Sequence, residues 1–279
     1  MIVRLMCCEI YRHWLGISEL YVCEYSAGIL VLSVKMDVVI FGAGYRGIEV
    51  TDIVWVNKTV RFHETNSMKI ALYYSPGSCS LAPHIVLNEI GEPFELRRFS
   101  TADRANFSEE YLAINPKGYI PALQVDDYIV TENPAILAFL GRRFPSAGLY
   151  PSDSSEDEAR CLELLAWSSN TVHVAFAQLF RPERFVSDEE NYVFVKESGR
   201  NNYEHCLTKI EDHLKDRKYS LGGQFTVVDP FWLVFYRWGM LAKYDMRTKF
   251  PAFTAHAEML CERPSVQQAL ATEGISVWE

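Results

Sequence analysis

The sequence has no long apolar run, no basic stripe and no paired-cysteine motif, and each absence removes a class of function. The apolar stretch Ala27 to Leu32, around Gly28, falls far short of the roughly 20 residues a membrane-spanning helix needs. Glu9, Glu19 and Glu24 break up the early hydrophobic residues and no cleavage site follows, so neither a membrane anchor nor a secretory signal is read there. Lysine and arginine number 27 against 36 acidic residues, a formal net charge of −9. Nucleic-acid binding depends on clustered cations, so that class of partner is set aside. The seven cysteines (Cys7, Cys8, Cys23, Cys79, Cys161, Cys206, Cys261) are odd in number and irregular in spacing. That suits reduced thiols in a cytoplasm better than a disulfide framework. None has metal-ligand spacing, and no metal is expected. Cys79 has Pro76 three residues before it and Ala82 three after, so there is no CxxC redox pair.

What is present is a cysteine at the mouth of a helix. Residues Ser75 to Gly91, SPGSCSLAPHIVLNEIG, follow a short apolar strand, Lys69–Tyr74, and place Cys79 where the chain turns into a helix. Unpaired N–H groups and the positive end of the helix dipole would there favour a thiolate over a thiol. A small buried hydrophobe at a strand-to-helix turn is the plainer reading, with Ser80 as helix cap.

Two sections meet near Ser67-Met68. Residues 1–67 are rich in β-branched and aromatic types. Within them Gly42-Ala43-Gly44-Tyr45-Arg46-Gly47, after the apolar Val38–Phe41, matches the spacing of a dinucleotide-binding turn. That mechanism needs a following helix, whereas Ile48–Val56 is strand-like, and Glu64 is a poor ribose ligand in a segment without helical pattern. Residues 1–67 therefore read as an N-terminal extension outside the native fold, with Met68 opening the folded protein.

After Met68 the punctuation is regular. Strands are expected at Lys69–Tyr74, Phe94–Phe99, Ile120–Val125 and Tyr128–Val130, with helices at Ser80–Glu89, closed by Gly91, and Asn133–Phe144, and a short helix before Ile120. Ser146–Ser155 reads as a linker. Beyond it the pattern is helical. Glu156–Phe180 would be one helix with Leu162, Leu165, Ser169, Val172 and Phe176 on one face, followed by Asn191–Asp216. Thr226 and Asp229 form a capping box before Phe231–Leu241, and Ser265 with Gln268 opens the last helix in the same way. The expectation is an α/β thioredoxin-like N-terminal domain (βαβαββα, 68–147) followed by an all-α helical domain (155–279).

The segments YYSPGSCSLAPHIVLNEIG, NPKGYIPAL, TENPAI, VHVAFAQLFRP and GGQFTVVDPFWLVFYRWG together resemble a glutathione S-transferase of the bacterial beta class, over residues 68–279. The resemblance implies a cytoplasmic homodimer with a detoxification role. It would bind glutathione as co-substrate and transfer its thiolate to small electrophilic hydrophobic compounds. A glutathione-dependent peroxidase, reductase or ether-cleaving enzyme is the nearest rival, and a non-catalytic docking module is the rival from another class.

Residue by residue, the resemblance makes Cys79 the neighbour of the glutathione sulfur and His173 a base or donor reaching toward it. Tyr74 and Ser78 are close enough in sequence to donate to a thiolate, although Tyr74 reads equally as strand packing. A cis Ile120-Pro121 bond would let Ile120, preceded by Tyr119, pair with the tripeptide like an added strand. Glu132 would hold the ligand ammonium while the Asn133 N–H meets its carboxylate. Arg104 replaces a lysine that pairs with the glycyl carboxylate, and Asn170 stands in for an asparagine replaced by Ala166. The cluster Tyr203, Phe231, Trp232, Phe235, Tyr236 and Trp238 reads as core.

Overall fold

A computed structural model describes residues 19–26, 29–35, 59–62 and 68–279, and the chain divides into two compact units, Met1–Met68 and Lys69–Glu279. In the first unit, β1 (Glu19–Ser26), β2 (Ile29–Lys35) and β3 (Thr59–Phe62) form an antiparallel sheet in that order. Val22 pairs with Leu32, and Leu32 with Val60. The Gly42–Gly47 pattern and the strand-like Ile48–Val56 lie outside the described residues.

The second unit is organised by β4 (Ile70–Tyr74), whose five residues IALYY are all buried. A strand apolar along its whole length must be covered on both faces. It lies inside a four-stranded sheet of order β5-β4-β6-β7, with β5 at Glu95–Arg98, β6 at Ala122–Val125 and β7 at Tyr128–Thr131. β5 runs parallel to β4, which requires a crossover. Helix α1 (Leu81–Ile90) supplies it, and β6 and β7 return antiparallel. α1 ends at Gly91, at φ 80°, whose N–H bonds to the Leu87 carbonyl. Helices α2 (Glu109–Ile114) and α3 (Asn133–Arg143) complete the expected βαβαββα order.

The helical half comprises α4 (Ser155–Trp167), α5 (His173–Phe180), α6 (Tyr192–Leu214), α7 (Val228–Leu241), α8 (Met246–Lys249), α9 (Pro251–Cys261) and α10 (Pro264–Glu273). α7 is its axis. Phe231 to Tyr236 are at most 1% exposed, so this helix is wrapped on every side. α1 packs against both α7 and α10, so its apolar face joins the sheet to the bundle.

Three expectations are corrected. The helix expected over Glu156–Phe180 is interrupted by a π turn, Ser168–Val172, between α4 and α5. The wider turn changes the buried face. Cys161, Leu165, Ser168 and Val172 point inward, whereas Leu162 is exposed and Ser169 half-buried. The capping box at α7 forms only in part. Asp229 accepts the Thr226 N–H at 2.7 Å, but the Thr226 hydroxyl donates to the same carboxylate instead of capping a backbone N–H. Ser265 caps nothing either, because its hydroxyl bonds to Glu89 and α10 begins on Pro264.

Asp229 does more than a box requires. Fully buried, it also accepts the Ser220 N–H at 2.7 Å and lies 2.9 Å from Nε2 of His256 on α9, so it ties the α7 approach loop to a neighbouring helix. Each buried donor left without an acceptor costs about 1–3 kcal/mol. Asp229→Ala should therefore lower stability by about 3–5 kcal/mol, seen as a fall in the urea midpoint at unchanged slope.

Candidate active site

The site is built on the loop between β4 and α1. Ser80 accepts the Ser75 N–H at 3.2 Å and donates back to the Ser75 carbonyl at 3.1 Å. It therefore closes the loop and makes no side-chain cap to α1. The Ser78 hydroxyl is 2.8 Å from that of Ser80, and the Thr101 N–H donates to the Ser75 hydroxyl at 3.0 Å.

Gly77 is held from the helical half. Its N–H donates to Glu273 of α10 at 2.8 Å, and its carbonyl accepts from Trp238 Nε1 at 3.0 Å and the Arg237 guanidinium at 3.3 Å. Gly77 has φ 70°, which favours glycine, and an added Cβ would lie 2.8 Å from the Arg237 guanidinium and push it off the Gly77 carbonyl. The other Glu273 oxygen is 2.8 Å from Nδ1 of the buried His84 on α1.

Cys79 follows this gripped loop and is buried, its Sγ donating to the Ile120 carbonyl at 3.4 Å. Burial pushes the thiol up to about 12, outweighing the backbone hydrogen bond that lowers it. Of the two readings of Cys79, burial favours the small buried thiol over a thiolate at the helix mouth. The Ile120-Pro121 bond is cis, as expected. The loop carrying it is pinned at the Tyr119 carbonyl by the Tyr111 hydroxyl and the Asn115 amide, both at 2.7 Å. Ile120 is buried, and its N–H has no partner among the described residues.

At the start of α3, the buried Asn133 donates from Nδ2 to the Cys79 carbonyl at 2.9 Å, while its Oδ1 has no partner. Glu132 holds φ 71° and points an exposed carboxylate at Lys117, which also donates to Thr131 at 2.8 Å. His173 leaves the π turn half-buried, its ring edge-on to Trp238 at 5.1 Å. Burial, with the Arg184 charge adding to it, holds His173 down to about 4, so the ring is neutral at physiological pH. Two charges, Glu132 and Arg184, act on Cys79 and His173 alike.

Other candidates stand apart. Tyr74 packs against His84 with ring centroids 6.0 Å apart, and the Cys79 hydrogen bond goes to Ile120. Arg104, at φ 63°, lies over the Phe107 ring with no carboxylate partner among the described residues. Asn170 is exposed on the π turn. Sequence reasoning missed Glu273, Arg184 and the polar edge of Trp238. The indole N–H was the available signal, since a buried tryptophan N–H needs an acceptor. A cavity of about 630 Å³ lies on the Tyr73 side of the sheet, lined by Arg97, Phe99 and Ile114 among others.

A thioredoxin-like sheet with a cis-proline loop against a buried cysteine, joined to a helical bundle, defines a two-part class of protein. The N-terminal domain model of glutathione S-transferases matches residues 68–142, and the C-terminal domain model matches 172–264. The glutathione S-transferase GstA of Escherichia coli O157:H7 is 34% identical over 206 residues, covering 73% of this chain and 98% of that protein. A sphingomonad glutathione S-transferase solved in complex with glutathione has 35% identity and a TM-score of 0.66, covering 74% of this chain and all of the other. A Sulfitobacter glutathione transferase homologue with bound glutathione has 29% identity and a TM-score of 0.70, over 75% of this chain and 99% of that one. The chain belongs to the glutathione S-transferase family.

Two outcomes follow from the protonation states. At neutral pH, iodoacetamide should alkylate Cys79 in the native protein about a thousandfold more slowly than in the urea-unfolded chain, by peptide mass mapping. His173, with its folded value near 4 against an ordinary 6.5, binds fewer protons folded than unfolded. Stability should therefore fall as pH drops from 6.5 toward 4, and His173→Gln should flatten that slope in urea titrations.

Proposed function

We propose that residues 69–279 bind glutathione along the Cys79, Ile120 and Glu132 groove and direct its thiolate at an electrophilic hydrophobic compound. The observation that carries this reading is that Cys79 is gripped at both ends of its residue by ligand-facing elements. Its sulfur bonds to Ile120 at the cis-proline loop, and its carbonyl bonds to Asn133 at the start of α3.

The residues suit an extended tripeptide. The Ile120 N–H offers a backbone hydrogen bond beside Pro121, and Tyr119 flanks it. Glu132 receives the γ-glutamyl ammonium, exchanging its pairing with Lys117, and the first N–H groups of α3, from Asn133 onward, meet the neighbouring carboxylate. Ser78 lies along the same loop. Arg104 is the candidate for the glycyl carboxylate at the far end, and Asn170, exposed on the π turn, is the candidate contact from the helical half. His173, neutral at working pH, accepts the thiol proton or donates a hydrogen bond to the sulfur. Cys79 is the neighbour of that sulfur and a covalent partner under oxidising conditions. Exchange with glutathione disulfide joins one half to Cys79 and releases the other as free glutathione.

The protein works as a homodimer in the cytoplasm, in a detoxification role. Among the described residues, no helix is long and apolar enough to cross a membrane. Tyr74 serves as packing in this scheme.

Calorimetry with glutathione decides between enzyme and docking module, since the module predicts no binding at millimolar ligand. His173→Ala should lower kcat for aryl halide conjugation about 10²-fold. Cys79→Ala should keep measurable conjugation yet lose the mixed disulfide with glutathione, and persistence of that adduct by mass spectrometry would refute the Cys79 assignment. A chain of residues 69–279 should retain full turnover, and its loss on truncation would give residues 1–68 a part in the site.

A further inference from the structure

We propose that Arg184 is the cation that holds the glutathione sulfur as a thiolate, a role that rests on the glutathione reading above. Its position carries the inference. Arg184 closes a short 3-10 turn, Pro182–Arg184, directly after α5, and its guanidinium carbon lies 5.0 Å from the centre of the Tyr119 ring. Tyr119 immediately precedes Ile120, whose carbonyl accepts the Cys79 thiol.

The turn is fixed on both sides. The Arg181 N–H bonds to the Ala177 carbonyl at 2.7 Å, and the Arg184 N–H to the Arg181 carbonyl at 3.1 Å. The Arg181 guanidinium donates to the Thr101 carbonyl at 3.4 Å, and Thr101 bonds in turn to Ser75 in the loop before Cys79. The cation is therefore anchored to the helix that carries His173 and to the loop that carries the cysteine.

Neighbouring cations are engaged elsewhere. Lys117 pairs with Glu132, and Arg181 faces Glu183 at 4.0 Å. Arg184 has no carboxylate partner among the described residues and rests instead on the Tyr119 ring, which holds a cation without cancelling its charge. At Cys79 and at His173 its charge is opposed by Glu132 alone among the ionised side chains that act on them. A ligand ammonium paired with Glu132 offsets that opposition in part, while the ligand carboxylate beside it is taken by the first N–H groups of α3. The Arg184 charge then weighs more heavily on the sulfur, which favours thiolate over thiol. Ligand binding at one end of the groove thus strengthens the field at the other.

The test uses the full chain, wild type beside Arg184→Met and Arg184→Lys. The ultraviolet absorbance of the bound glutathione thiolate is titrated against pH, and the affinity for S-methylglutathione, which has no titratable thiol, is measured by calorimetry. Arg184→Met should raise the thiol midpoint by about one pH unit, about tenfold less thiolate at a given pH, and leave the S-methylglutathione affinity unchanged. Arg184→Lys should restore most of the shift. An unmoved midpoint in Arg184→Met overturns the role, and weakened S-methylglutathione binding with that unmoved midpoint reassigns Arg184 as a carboxylate holder. A wild-type chain that fails to bind S-methylglutathione overturns the glutathione reading itself.

Discussion

The hold on Gly77 is the constraint on which the site depends. Both polar groups of that residue are taken by side chains that lie about 160 to 200 positions further along the chain, on α7 and α10. A hydrogen bond to a charged group contributes about 1.5–3 kcal/mol when well made, and here two of the three partners are charged. The loop before Cys79 has little apolar content of its own. Ser80 closes it locally and the helical half fixes its position, so the sheet and the bundle behave as one body where the chemistry sits. Trp238 extends the same constraint to His173, because one indole bonds Gly77 through its N–H and meets the imidazole with its ring.

Two effects of opposite sign compete at Cys79. Its place at a helix start favours the anion, and its burial favours the neutral thiol. Burial wins, because removing a charge from water costs several kcal/mol while a helix terminus returns about 0.3–1 kcal/mol at ordinary exposure. The outcome changes what the residue does. A protonated thiol donating to Ile120 supports the cis-proline loop, and the reactive sulfur has to arrive with the ligand. The neutral His173 suits the same division of labour, because an uncharged imidazole can donate an N–H hydrogen bond to the incoming sulfur while Cys79 keeps its own proton.

Much of the fold was legible because it rests on local rules. The continuous apolar run of β4, the Gly91 stop, the proline after Ile120 and the apolar stretch of α7 each act over a few residues, and each stands where the pattern placed it. The errors arose where a side chain had another partner within reach. Ser265 has the spacing of a cap but finds Glu89, and Thr226 finds a carboxylate already turned toward its own N–H. Asn133 carries a further bond that the pattern did not show, from its side chain to the Cys79 carbonyl. Glu273 could not have been found from spacing, since nothing local marks a glutamate near the C-terminus as the acceptor for a glycine beside the cysteine. Trp238 was counted as core because ring burial and N–H direction are separate facts.

The π turn at Ser168–Val172 acts as a phase shifter within one helical rod. A regular helix advances about 100° per residue, and a π turn absorbs one extra residue in the same rod, so all that follows is rotated by about that angle. α4 keeps the azimuth that suits α3 and α7, while α5 takes the one that suits α6, which it meets closely enough at Gly199 that a Cβ there would lie 2.7 Å from the Leu179 nitrogen. His173 is the first residue past the shift. Deleting any one residue of the turn would leave both helices intact as helices and swing the imidazole about a quarter-turn off Trp238, so the heading of this side chain is encoded as a residue count.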